Sequence, residues 1–200
     1  MINQKYKSEI KQSLYQSMRD RGDLILNFSE VFVESVSAIA EIVEKSIKAN
    51  NKLLFCGNGG SAAESQHMAA EYCATLDHSR PRKGMPAIAL TTDSSFITAW
   101  TNDFGFEDIF KRQVETLGRD GDVLMAYSTS GTSKNVLRAA RVAKEIGMKV
   151  IIFTGNRQDL EIEAYSDCIF RAPSLSTPII QEFHTMAGHE ICAIVEKHLL

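Results

Sequence analysis

The chain has 200 residues, 44% hydrophobic and 24% charged, which suits one ordinary globular domain with a full core. Its net charge of −3 at pH 7 argues against a general surface for nucleic acid or anionic membrane. No apolar run is long enough to cross a bilayer, and the opening MINQKYKSEIKQSLYQSMRD lacks the apolar centre of a signal peptide, so a cytoplasmic location is expected.

In chain order, a helix is predicted over about residues 4–19, then a second over DLILNFSEVFVESVSAIAEIVEKSIKAN, which contains no glycine or proline. The second is apolar on more than one face, as expected of a helix that also packs on another subunit. Residues 1–50 thus read as an N-terminal helical segment packing on the domain and on partner subunits, and 51–200 as the domain proper. From Asn51 onward short apolar runs alternate with helical patterns. Strands are predicted at KLLFCG, 87–90, 122–128, 149–154 and 167–172. Helices are predicted at 61–76, around 94–101, at 106–117, 133–146, near 157–165, and from Pro178 to Leu200 with Thr177 as N-cap. Such alternation specifies an α/β fold, a five-stranded parallel sheet sandwiched by helices, flavodoxin-like. Cys56, Cys73, Cys168 and Cys192 form no CxxC pair and read as buried free thiols.

Ligands bind open parallel sheets at the carboxyl ends of the strands, and two strand ends carry unusual chemistry. GNGGSAA follows the first strand and STSGTSKN the third. The latter offers Ser128, Thr129, Ser130, Thr132 and Ser133 around Gly131 at a helix start. One hydroxyl would suffice to cap the helix, so five point to a phosphate-ester site built from hydroxyls and free backbone N–H groups. Neither loop has the spacing of a Walker A or dinucleotide motif.

Three stretches carry groups able to do chemistry. His67 and Glu71, at i and i+4, share a helix face, where they can bind a divalent metal or move protons. The last helix, TPIIQEFHTMAGHE, brings Gln181, Glu182, His184, His189 and Glu190. Gln181 and His189 lie about 80° apart in rotation and roughly 12 Å along a straight helix. They can line one cleft but reach one metal only with a bend, a late helix start or help from a second subunit.

Taken together, FCGNGGSAAESQHMAAE, TNDFGFEDIF, GRDGDVLMAYSTSGTSKNV and IIQEFHTMAGHE resemble the sugar isomerase (SIS) domain and, more narrowly, the phosphoheptose isomerase family, over nearly the whole chain. The resemblance implies an enzyme converting sedoheptulose 7-phosphate to D-glycero-D-manno-heptose 7-phosphate through an enediol, for bacterial heptose biosynthesis leading to lipopolysaccharide or capsule. It implies substrate contacts at Asn58, Gly59, Gly60, Glu71, Asn102, Asp103, Ser128, Thr129, Ser130, Ser133 and Gln181. It further implies one zinc per subunit on His67, Glu71, Gln181 and His189, with Glu71 as general base and His189 as acid. A homotetramer with active sites between subunits is implied as well, with no nucleic-acid or membrane partner. Two positions depart from the family pattern: Ile179 stands where relatives commonly carry arginine, and Thr132 where many carry asparagine. Two alternatives accompany this reading. One is a non-enzymatic SIS protein of the replication-initiator-associating type, in which the positions matching Glu71 and His189 lack the acid and the imidazole. The other is an isomerase of a different sugar phosphate.

Overall fold

A computed structural model of the chain describes residues 4–199. Five strands, β1 (Leu53–Gly57), β2 (Ala87–Ala89), β3 (Val123–Tyr127), β4 (Lys149–Thr154) and β5 (Cys168–Arg171), form one parallel sheet in the order β2-β1-β3-β4-β5. Every residue of β1 and β3 is buried, which explains why these strands read as unbroken apolar runs rather than as alternating ones. Six helices surround the sheet: α1 (Gln4–Lys48), α2 (Gly60–Cys73), α3 (Ser94–Phe104), α4 (Ile109–Leu117), α5 (Lys134–Ile146) and α6 (Thr177–Leu199). Short 3₁₀ turns cover Phe106–Asp108 and Glu161–Tyr165.

Residues from α1, α2 and α6 share one buried cluster with Leu53 and Phe55 of β1. Residues from α4 and α5 share another with Leu54 and Cys56, on the opposite face. The alternation along β1 divides the two cores, giving three layers of helix, sheet and helix.

The N-terminal region departs from expectation, because the two predicted helices are one continuous helix of 45 residues. Gly22 does not break it; a glycine inside a helix costs only about 1 kcal/mol, and the adjacent Arg21 holds both Ser17 and Glu182 of α6. α1 buries Phe28, Val36, Ile39, Ala40 and Val43 against the sheet layer while leaving Ile25, Leu26, Val31 and Val33 exposed. It ends at Lys48, and two residues on Asn50, with a positive φ of 62°, turns the chain toward β1. α6 starts at Thr177, so Ser176 precedes it and Pro178 falls within the first turn. The four thiols are free, but not all are buried: Cys73 is exposed and Cys168 intermediate. Cys56 and Cys192 are buried, and burial pushes both thiols up to about 12. None of the described helices is long and apolar enough to cross a membrane.

Candidate active site

The strand order reverses between β1 and β3, because the chain leaves β1 for the β2 edge and returns on its other side. A crevice at the carboxyl ends of the strands opens at such a reversal. The glycine loop after β1 and the hydroxyl loop after β3 meet there. Asn58 and Asn135 tie them together, each carboxamide donating to the other's oxygen at 2.9 Å. Asn135 is buried on the first turn of α5; sequence reasoning missed it, since it looks like any polar residue opening a helix.

The glycine loop turns at Gly59, with φ 57° and ψ −121°, a conformation that needs glycine. Gly60 then begins α2 directly beneath the Gln181 carboxamide, where an added Cβ would overlap it. In the hydroxyl loop, Ser128 is buried and donates to Ser133 Oγ at 3.1 Å. Ser133 is the N-cap residue of α5, yet its side chain makes no capping bond. The Thr132 hydroxyl donates to Ser130 Oγ at 3.0 Å, and the Thr129 carbonyl accepts from Gly155 N–H at 3.2 Å. These hydroxyls are therefore not consumed in capping the helix.

α2 and α6 cross with Gly188 packed close to Met68: a Cβ at Gly188 would lie 2.8 Å from the Met68 sulfur. This approach brings together groups 122 residues apart. His189 Nε2 lies 3.3 Å from His67 Nε2, and His67 Nε2 lies 3.3 Å from Glu71 Oε1. One ligand atom from each of the three lies within 4.8 Å of the others. Tetrahedral zinc with bonds of about 2.0–2.1 Å sets neighbouring ligand atoms about 3.3–3.4 Å apart, so two imidazole nitrogens and a carboxylate oxygen fit that ion in spacing and chemistry. The side chains of His67 and Glu71 are 40% and 23% exposed, which leaves the group open to solvent and ligand.

A cleft of about 440 Å³ runs beside this group, lined by Gly60, Glu64, His67, Pro178, Gln181, His184 and Thr185, among others. Gln181 therefore shares the cleft with His67. His184, one of the polar groups of the last helix named above, and Glu64, which sequence reasoning did not single out, are buried in its wall. Burial raises the Glu64 pKa against the opposing pull of the Thr185 hydroxyl and of His67 and His189. Burial also lowers His184 to about 4, partly offset by its Nε2 bond of 3.2 Å to the Thr154 carbonyl. Since a carbonyl only accepts, Nε2 carries the proton, and Nδ1 is a buried acceptor without a partner among the described residues. Asn102 and Asp103 are elsewhere: both are exposed on α3 and hydrogen-bonded to each other at 2.8 Å. The hydroxyl loop does not line the cleft of His67 either; the Asn58–Asn135 pair links it to the glycine loop, whose Gly60 does line the cleft.

A parallel five-stranded sheet with a hydroxyl loop and a glycine loop at its switch point defines a SIS-type α/β domain, and the SIS-domain family profile matches residues 16–155. The phosphoheptose isomerase of Burkholderia pseudomallei (strain K96243) is 47% identical over 190 residues, 95% of this chain and 94% of that protein. The solved phosphoheptose isomerase structure from Neisseria gonorrhoeae has 36% identity and a TM-score of 0.86, covering 94% of this chain and 99% of that one. That from Francisella tularensis has 31% identity and the same TM-score of 0.86, covering 93% and 97%. The chain belongs to the SIS-domain family and, within it, to the phosphoheptose isomerases.

Proposed function

We propose that the protein is an aldose–ketose isomerase that converts sedoheptulose 7-phosphate to D-glycero-D-manno-heptose 7-phosphate for bacterial heptose biosynthesis. The observation that carries this reading is the convergence of His67, Glu71 and His189 beside a cleft, in a chain with 47% identity to a phosphoheptose isomerase.

The chemistry requires a base that removes a proton from C1 of the ketose and returns it to C2. Glu71 is that base. Its Oε1 lies 3.3 Å from His67 Nε2 and its side chain is 23% exposed; the second oxygen takes the proton. His189 is the acid–base group at the oxygens; its Nε2 faces His67 and the metal position, so Nδ1 is the ring nitrogen left to carry the proton that leaves O1 and is made good at O2. No atom is gained or lost overall, and an enediol lies between the two halves. Such groups contribute about 10²–10⁴-fold each when correctly placed. His67, Glu71 and His189, with Gln181 close by, would hold a zinc ion. When bound, that ion would polarise the carbonyl and stabilise enediolate charge. The hydroxyl loop, Ser128–Ser130 and Ser133, binds the phosphate, and that remote binding orients the reacting end. Asn58, Gly59 and Gly60 bring backbone close to the sugar.

Asn102 and Asp103 reach substrate only if assembly brings α3 of another subunit over the cleft. The exposed Ile25, Leu26, Val31 and Val33 on α1 suit the same tetramer, with residues 1–50 as its packing segment. A cytoplasmic enzyme follows from a phosphorylated sugar substrate.

The test is turnover of sedoheptulose 7-phosphate by the purified protein, with zinc and after chelation, together with zinc content and molecular mass. Turnover should be reduced about 10²–10⁴-fold in Glu71→Gln and His189→Ala, and His67→Ala should lose zinc. Absence of turnover in the wild type sinks the enzyme reading and favours a protein-contact role. Turnover of hexose but not heptose phosphates reassigns the substrate.

A further inference from the structure

Glu64 has no task in the chemistry above, yet it occupies a costly position. It lies on α2 one turn before His67, and it is 8% exposed. Its Oε2 accepts a hydrogen bond from the Thr185 hydroxyl at 2.7 Å. Its Oε1 is buried with no partner among the described residues. Leaving a buried carboxylate oxygen without a donor is strongly unfavourable, and such atoms mark places where a ligand or water completes the set.

Joining α2 to α6 does not explain the residue. The two helices are already held by the buried Arg82–Glu196 pair and by Gly188 against Met68, and the Thr185 bond uses only one of the two oxygens. Glu64 does not belong to the His67–Glu71–His189 group either. Two neighbours remain: the buried Tyr127 hydroxyl, which also has no partner among the described residues and whose pKa is raised by burial and by the nearby Glu64 charge, and the cleft, whose wall Glu64 shares with Gly60, His67 and Gln181.

We propose that Glu64 is a substrate-binding residue whose free Oε1 accepts a hydrogen bond from a hydroxyl of the open sugar chain. This rests on the isomerase reading of the same cleft. A polyol offers donors along its length, and a carboxylate accepts strongly from a hydroxyl. Charge also orders the ligand: Glu64 and Glu71 both stand on the α2 side of the site, where a phosphate dianion would be repelled. The uncharged hydroxyl loop at the end of β3 accepts it instead. Glu64 thus helps decide which end of the sugar phosphate meets Glu71 and His189.

The test separates the two oxygens. Glu64→Gln keeps an acceptor for Thr185 but replaces Oε1 by an NH₂ group, which cannot accept. Thr185→Val removes the helix–helix bond and leaves the carboxylate. With sedoheptulose 7-phosphate as substrate, Glu64→Gln should lower kcat/KM about 10- to 100-fold, the value of one charge-assisted bond. The loss should appear mainly in KM, with zinc content and Tm unchanged, whereas Thr185→Val should move Tm more than KM. Wild-type kinetics in Glu64→Gln would overturn the proposal, because Oε1 would then face only water. Parallel loss of Tm or zinc in both variants would overturn it too, reducing Glu64 to a helix staple. If Glu64→Gln does not fold, Glu64→Asp draws the carboxylate back by one methylene and should raise KM; a wild-type KM there is equally fatal. A wild type that turns over nothing refutes the isomerase reading instead, so the two failures are distinguishable.

Discussion

Replacing Arg82 by methionine should be among the most damaging single changes outside the catalytic groups. Arg82 lies in the irregular segment between α2 and β2, and its side chain is only 4% exposed. Nε donates to Glu196 Oε1 at 2.9 Å, and the other N–H groups donate to the carbonyls of Glu71, Tyr72, Ala74 and Lys83 at 2.9–3.2 Å. Glu196, 2% exposed at its side chain, also accepts from the Thr75 hydroxyl and from the N–H groups of Leu76 and Asp77. Arg82→Met leaves this carboxylate buried without its cation, which costs about 3–5 kcal/mol. For a chain of this length each kcal/mol moves Tm by about 2–4 °C, so a fall of about 6–20 °C is expected in thermal unfolding followed by circular dichroism. The clamp also bears on the metal group, because it holds the carbonyl of Glu71 itself and grips α6 two turns beyond His189. Zinc affinity should therefore weaken, by about tenfold if the effect resembles loss of an outer-shell partner. Arg82→Met combined with Glu196→Leu removes both charges and should recover much of the Tm. A single variant melting within about 2 °C of wild type, or a double variant no better than the single, would refute the reasoning.

His184 predicts a dependence on pH. Its folded pKa is about 4 against a usual 6.5, so below pH 6.5 the unfolded chain takes up a proton that the folded chain refuses. The stability it contributes is complete above pH 6.5 and is lost toward pH 4 at about 1.4 kcal/mol per unit. Urea unfolding between pH 7 and 5 should be steeper in pH for wild type than for His184→Gln; equal slopes would count against it. Asn135→Ala should strand the Asn58 carboxamide, lower stability by about 1–3 kcal/mol and raise KM for the sugar phosphate. Denaturant titration and steady-state kinetics measure the two effects.

The sheet was legible because its strands are buried on both faces and therefore read as continuous apolar runs. The N-terminal pattern divides at Gly22 although a lone glycine is a weak stop signal, and the contacts of this stretch with α6, Arg21 on Glu182 and Phe28 on Phe183, come from more than 150 residues away. In the site, the i, i+4 spacing of His67 and Glu71 was visible locally. Their meeting with His189 depends on how α2 and α6 cross, which spacing along one helix does not contain. Glu64 had a faint signal, an acid one turn before His67 in an alanine- and serine-rich segment. Arg82 had none, since its partners are backbone carbonyls and a distant carboxylate. Cys73, expected inside, falls at the last residue of α2 and faces outward.

The paired carboxamides of Asn58 and Asn135 have a consequence for the conditions under which the site keeps its shape. A salt bridge in that place would weaken with ionic strength and break outside a window of acidity. Two neutral amides have no proton to lose or gain in water near neutrality and no net charge to screen. The spacing between the two loops at the switch point should therefore be the same in dilute buffer and in strong salt, on either side of neutrality. Any dependence of activity on acidity is then left to the groups that handle the sugar's protons.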